Sequence, residues 1–214
     1  MFIENLQKDP QFFFAVIITV VFSVCIHELA HGIAAIWLGD RTPIETGHMT
    51  LNPVVHMGPQ SLIMLAFAGI AWGQMPVNRS RLRGRFGGTW VALAGPASNV
   101  LLALAALTAL GLSERFASPY FDPSKFTANL RELLWVFGYT NVALAIFNLI
   151  PVPPLDGSNA LAGLNPQFAE IMMRVRAGGQ AMMIFIILFI FGSPYIFDGA
   201  AILSRHYLYF IRGA

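Results

Sequence analysis

The sequence predicts an all-α polytopic membrane protein. The expected architecture is a bundle of about five to six transmembrane or re-entrant helices, with a small β element between the first and second apolar stretches. Three observations carry this. Of 214 residues, 56% are hydrophobic and only 11% charged, against roughly 25% charged in soluble domains. Apolar stretches recur at Phe12 to Leu38, Ser61 to Val77, Phe86 to Leu112, Leu133 to Ile150 and Ala181 to Phe197. The first contains a single carboxylate, Glu28, and the next three contain no charged residue.

Taken in order, the N-terminal "MFIENLQKDP" is not a signal-peptide n-region, because Lys8 is offset by Glu4 and Asp9, and the stretch after it exceeds an h-region; the segment is expected to be retained. A spanning helix needs about 20 apolar residues, which the first and third stretches supply easily. The segment "GDRTPIETGHMTLNPVVHMGPQ" mixes Thr, Ile, Gly and Pro in a way that predicts short strands and turns. The second stretch holds Gly69, Gly73 and Pro76 within a short run, the pattern of a re-entrant hairpin or short tilted helix. The fourth is marginal in length, and the fifth carries Pro194 near its end. One integral membrane domain over 1–214 is expected, with a core at about 12–165 and a C-terminal helix at about 178–204.

A formal charge of +2 gives no reason to expect nucleic acid as a partner. The lipid bilayer is the partner that the composition implies. Cys25 is the single cysteine, so no intrachain disulfide forms. Arg79, Arg81, Arg83 and Arg85 flank an apolar helix, and the positive-inside rule assigns that loop to the cytoplasm. Arg174 and Arg176 assign the later loop likewise.

The chemistry begins with "HELAH" at 27 to 31. His27 and His31 are four residues apart, so on a helix turning about 100° per residue they share a face. Two imidazoles at that spacing grip one metal ion, while Glu28, about 100° around, is placed to act as general base without ligating. In this pattern zinc polarises a scissile carbonyl and the carboxylate relays a proton to the leaving amine. Ionisable groups at membrane depth are costly and mark functional sites.

A catalytic zinc takes a third protein ligand, and two Asp-Gly pairs offer one: Asp156 in "NLIPVPPLDGSNAL" and Asp198 in "PYIFDGAAIL". Prolines 151, 153 and 154 break the fourth helix before Asp156, and extended backbone at membrane depth is tolerated only beside a cavity. That favours Asp156.

With these motifs in hand, the chain resembles the site-2 protease family of intramembrane zinc metalloproteases. "HELAH" is similar to the first family motif, "NLIPVPPLDG" at 148 to 157 to the second, "AGPASN" at 94 to 99 to the intervening Gly-Pro-x-x-Asn signature, and "LNPVVH" at 51 to 56 to the compact members. The resemblance covers roughly residues 15 to 165. It implies one Zn2+ per chain held by His27, His31 and Asp156, with Glu28 as general base. It further implies the compact form without a PDZ or CBS module, residence in a bacterial cytoplasmic membrane, and substrates that are transmembrane segments of other proteins, such as anti-sigma factors or remnant signal peptides.

Asn148 and Asn99 are candidates for substrate or oxyanion contact; helix capping at Asn148 and an interhelical polar contact at Asn99 are the competing roles. His48 and His56 lie in the loop read as strand, and residues 42 to 55 are expected to offer an edge to which substrate adds as a strand. Two other functions compete with proteolysis: a metal-transporting membrane protein, and a catalytically inactive relative that binds membrane clients.

Overall fold

The computed structural model describes residues 2–116 and 125–213. After a 3-10 turn at Phe2–Glu4, helices follow as α1 (Asn5–Lys8), α2 (Pro10–Trp37), α3 (Thr42–Glu45), α4 (Pro53–Ala68), α5 (Gly87–Arg115), α6 (Lys125–Leu149), α7 (Asp156–Leu164), α8 (Pro166–Ala177) and α9 (Gln180–Arg212). Among the described residues α2, α5, α9 and the Thr127–Leu149 part of α6 are long and apolar enough to cross a membrane.

Helix α2 starts where Asp9 accepts a hydrogen bond from the Phe12 N–H and Pro10 takes an opening position. There the missing proline N–H costs nothing, and the cap is worth about 1 kcal/mol. It packs against α5, and 44% of the apolar window of each is buried in the protein, against 6% for α9. The α2–α5 pair is therefore the core, and α9 is an outer helix with a largely lipid-facing surface. Small residues allow the close approach: Gly95 of α5 lies against the imidazoles of α2, and Gly138 of α6 lies against Leu107 of α5.

The β element expected between the first and second apolar stretches is a correction: no strand occurs among the described residues, and that segment folds as α3 and α4. The prolines of that strand-and-turn reading open helices instead. Pro43 and Pro53 each sit in the first turn of theirs, and the Asn52 side chain caps α4 by accepting from the Val54 N–H at 3.0 Å. Without an edge strand at 42 to 55, strand addition of substrate there has no template. The all-α class itself stands.

The second apolar stretch folds back on itself. Helix α4 climbs until Gly69 lies against the Phe2 ring, and the chain returns without helix. The Ser61 hydroxyl donates to the Trp72 carbonyl at 2.7 Å, the Gln74 N–H donates to the His56 carbonyl at 3.0 Å, and the Asn78 N–H donates to Asp40 at 2.6 Å. Asp40 is fully buried and also accepts from the Thr42 N–H at 3.0 Å. Its burial pushes the carboxyl up, but these donors outweigh it and hold it below the ordinary range. The carboxylate thus fastens both ends of the re-entrant segment at one end of the bundle. The fifth stretch runs on through Pro194 as α9 to Arg212.

Candidate metal centre

Helix α2 carries His27, Glu28 and His31, which are 6%, 6% and 7% exposed. Burial of three ionisable groups so close together requires partners, and α5 supplies the first of them. His27 Nδ1 stands 2.6 Å from Asn99 Oδ1, and His31 Nδ1 donates to the Val91 carbonyl at 2.6 Å. Both rings therefore carry their proton on Nδ1 and turn an Nε2 lone pair inward. Val91, Gly95 and Asn99 are spaced by four along α5, so one stripe of that helix grips both imidazoles.

Asp156 arrives from the other side. Helix α6 ends at Leu149, the proline segment turns, and Asp156 is the first residue of α7. A side chain at Gly157 would meet the Leu149 carbonyl at 2.1 Å, so the glycine of the Asp-Gly pair is needed for close backbone approach. The Thr89 hydroxyl donates to the Ala160 carbonyl at 3.1 Å and fixes α7 to α5.

Asp156 Oδ2 stands 2.9 Å from His27 Nε2 and 3.2 Å from His31 Nε2, and the two Nε2 atoms are 3.0 Å apart. One oxygen and two nitrogens on the corners of a small triangle form a zinc-type donor set, whose bonds run about 2.0–2.2 Å. Among the described residues this is the one group of three such side chains with ligand atoms within 4.8 Å of one another. The site also has a cradle: a Cβ at Gly95 would stand 2.4 Å from His31 Nε2 and 2.5 Å from His27 Nε2. The donor set and the cradle fit a zinc ion.

Glu28 does not join the triangle. No protein group among the described residues hydrogen-bonds to its carboxylate, which packs against Gly73 of the returning segment. It lines a cavity of about 300 Å³ together with His31 and Asp156, and a second of about 180 Å³ that also touches His27 and Asn148. A buried, unpaired carboxylate facing open space beside a donor set can take a proton from water there.

The other sequence candidates separate. Asn99 is fully buried, with its oxygen at His27 and its amide donating to Asn141 Oδ1 at 2.9 Å. Asn148 lines the smaller cavity while its amide donates to the Leu144 carbonyl at 3.0 Å. Asp198 lies exposed on α9, outside the group. His56 is buried with Nε2 donating to the Thr50 carbonyl at 2.6 Å, and the His48 ring stacks edge-on to it at 6.4 Å. Neither belongs to the group.

Asn141 escaped the sequence reading. It is fully buried, accepts from Asn99, and donates to Ser23 Oγ at 2.8 Å and to the Phe137 carbonyl at 2.9 Å. The chain Ser23–Asn141–Asn99–His27 crosses three helices and fixes the His27 ring. The available signal was an isolated amide in an apolar helix, two turns before Asn148. Asn141→Leu is expected to weaken zinc binding by about 10–100-fold, the usual cost of losing such outer support. Competition titration against a chromophoric chelator measures it, and unchanged affinity would show that the relay does not orient His27.

Comparison with known proteins agrees with this geometry. The model of peptidase family M50 matches residues 119–192, which include Asn148 and Asp156. A Bacillus subtilis protein named "Putative zinc metalloprotease YwhC" is 34% identical over 176 residues, covering 81% of this chain and 79% of its own length. A Mycolicibacterium smegmatis protein named "Putative zinc metalloprotease Rip2" is 30% identical over 186 residues, covering 82% and 67%. No solved structure matches.

Proposed function

The chain belongs to peptidase family M50, the site-2 proteases, and from that premise we propose that it is a zinc-dependent endopeptidase cutting transmembrane segments of other membrane proteins inside a bacterial cytoplasmic membrane. The observation that carries this reading is the meeting of His27, His31 and Asp156 within 4.8 Å beside the unpaired carboxylate of Glu28.

His27, His31 and Asp156 would hold the ion. Bound there, zinc lowers the pKa of water and polarises the carbonyl to be attacked. Glu28 takes the proton of the attacking water and hands it to the leaving amine. The α5 stripe keeps both imidazoles in one tautomer throughout. The cavity of about 300 Å³ reaches Arg79 and Leu82 in the arginine-bearing loop, so water enters from the end that the positive-inside rule assigns to the cytoplasm. A helical substrate has its carbonyls locked in hydrogen bonds and must unwind locally before one can reach this site. Regulatory membrane proteins such as anti-sigma factors, and remnant signal peptides, are the substrates that the family resemblance implies.

A metal carrier would need further ligand sets along a path, and the described residues hold one. The test is reconstitution of the full chain in lipid vesicles with a panel of single-span substrates. The expected result is one zinc per chain and cleavage within the span, abolished by chelation and restored by added zinc. Zinc retention and substrate binding with no cleavage anywhere in the panel would select the client-binding reading instead.

A further inference from the structure

Arg79 and Arg176 come from distant parts of the chain and converge on one neutral atom. Arg79, in the 3-10 turn Arg79–Arg81, donates from Nη2 to Asn159 Oδ1 at 2.6 Å. Arg176, in the last turn of α8, donates from its own Nη2 to the same oxygen at 2.8 Å, and reaches Ser158 Oγ at 3.5 Å. The two cationic nitrogens are thus less than two hydrogen-bond lengths apart.

Their neighbours are neutralised: Arg81 pairs with Glu45 at 2.7 Å and Arg174 with Glu170 at 2.6 Å. Among the described residues no carboxylate lies within ion-pair distance of Arg79 or Arg176. An amide oxygen cannot cancel two positive charges; Arg79 keeps four N–H donors beyond the one it spends on Asn159, and Arg176 keeps three beyond those directed at Asn159 and Ser158. Partial desolvation and the like charge of Arg176 both lower the Arg79 pKa.

The location says which anion. Arg79 and Asn159 line the same cavity of about 300 Å³ as Glu28, His31 and Asp156. Asn159 follows Asp156 by three residues of α7, roughly one helical turn and about 4.5 Å of rise. An extended chain advances about 3.3 Å per residue, so that rise alone spans about one to two residues, and a group on the guanidiniums beyond Asn159 lies within a few residues of the bond at the metal. Arg79 and Asn159 stand on the wall of that cavity, and Arg176, exposed at the end of α8, joins them through Asn159.

We propose that Arg79 and Arg176, held by Asn159, form a carboxylate-binding subsite that selects substrates with an acidic side chain within a few residues of the scissile bond. The inference rests on the protease reading above, and its test separates the two. Single-span substrates carry one Asp, moved through the four positions on each side of the scissile bond, with Asn substrates as reference, in vesicles of neutral phosphatidylcholine. Binding is measured on zinc-loaded Glu28→Gln protein and cleavage on the otherwise unchanged chain.

The expected result is one or two adjacent positions where Asp improves binding and kcat/KM about tenfold over Asn, as a bidentate charge-assisted contact would. That ratio falls to about one in Arg79→Gln/Arg176→Gln. Arg79→Glu/Arg176→Glu prefers Lys at the same position, which a purely structural role would not produce. Equal handling of Asp and Asn at every position overturns the subsite and leaves the protease intact. Asp-selective binding without cleavage keeps the subsite and sinks the protease. A dependence on the arginines that appears only when anionic lipid is added reassigns them to lipid phosphate and also overturns the proposal.

Discussion

Glu28→Gln is expected to keep one zinc per chain and to lose cleavage by about 10²–10⁴-fold, the span over which a positioned general base contributes. The substitution preserves volume, so the new amide occupies the same space against Gly73, where a Cβ would already meet Glu28 Oε1 at 2.5 Å. Zinc should remain because Glu28 is outside the ligand triangle of His27, His31 and Asp156. Cleavage should go because an amide cannot accept and return a proton. The absence of any protein hydrogen bond to this carboxylate among the described residues sharpens the expectation: its removal orphans no donor, so the fold has little reason to respond. Metal analysis and cleavage of a single-span substrate, measured on one preparation, decide the matter. A mutant that cleaves at the original rate would remove Glu28 from the chemistry, and one that loses zinc would make it a ligand.

The legible part of this site was the part encoded in local geometry. His27 and His31 share a helix face whatever surrounds them, so their pairing could be read from spacing alone. Asp156 was reachable because three prolines must end the helix before it, and a broken backbone at membrane depth needs a cavity. The segment from 42 to 55 misled because proline is ambiguous in sequence: it ends a strand and begins a helix with the same rigid φ. Only the partners of Asn52 and Asp40 settle which role it takes. Asn141 and the Arg79–Arg176 pair were hidden for another reason. Their meaning depends on residues roughly 40 to 120 positions away, and no periodicity carries that distance. Read singly, the arginines are topology signals, and only the shared contact with Asn159 makes them a pair.

Gly95→Ala gives the second large effect, because helix propensity and the site predict opposite consequences. In an ordinary helix interior the change would stabilise by about 0.5–1 kcal/mol. Here the added methyl would lie 2.4 Å from His31 Nε2 and 2.5 Å from His27 Nε2, the two nitrogens of the ligand triangle. The rings cannot simply retreat. Their Nδ1 atoms are held at 2.6 Å by Asn99 and by the Val91 carbonyl, one turn to either side of Gly95 on the same helix. The methyl must therefore displace α5 from α2 or tear an imidazole from its acceptor, and either outcome opens the triangle with Asp156. The expected result is a folded protein whose zinc affinity falls at least about 100-fold, in the range of losing an orienting contact or more, with cleavage lost alongside. Gly199→Ala is the matched control: it makes the same substitution in α9, where a Cβ meets nothing within 4 Å, and should leave zinc content unchanged. Melting curves with and without zinc distinguish the causes. A Gly95 variant that melts normally without zinc but gains nothing from adding it has lost the site alone, whereas wild-type affinity would mean that α5 does not press on the histidines as closely as these distances require.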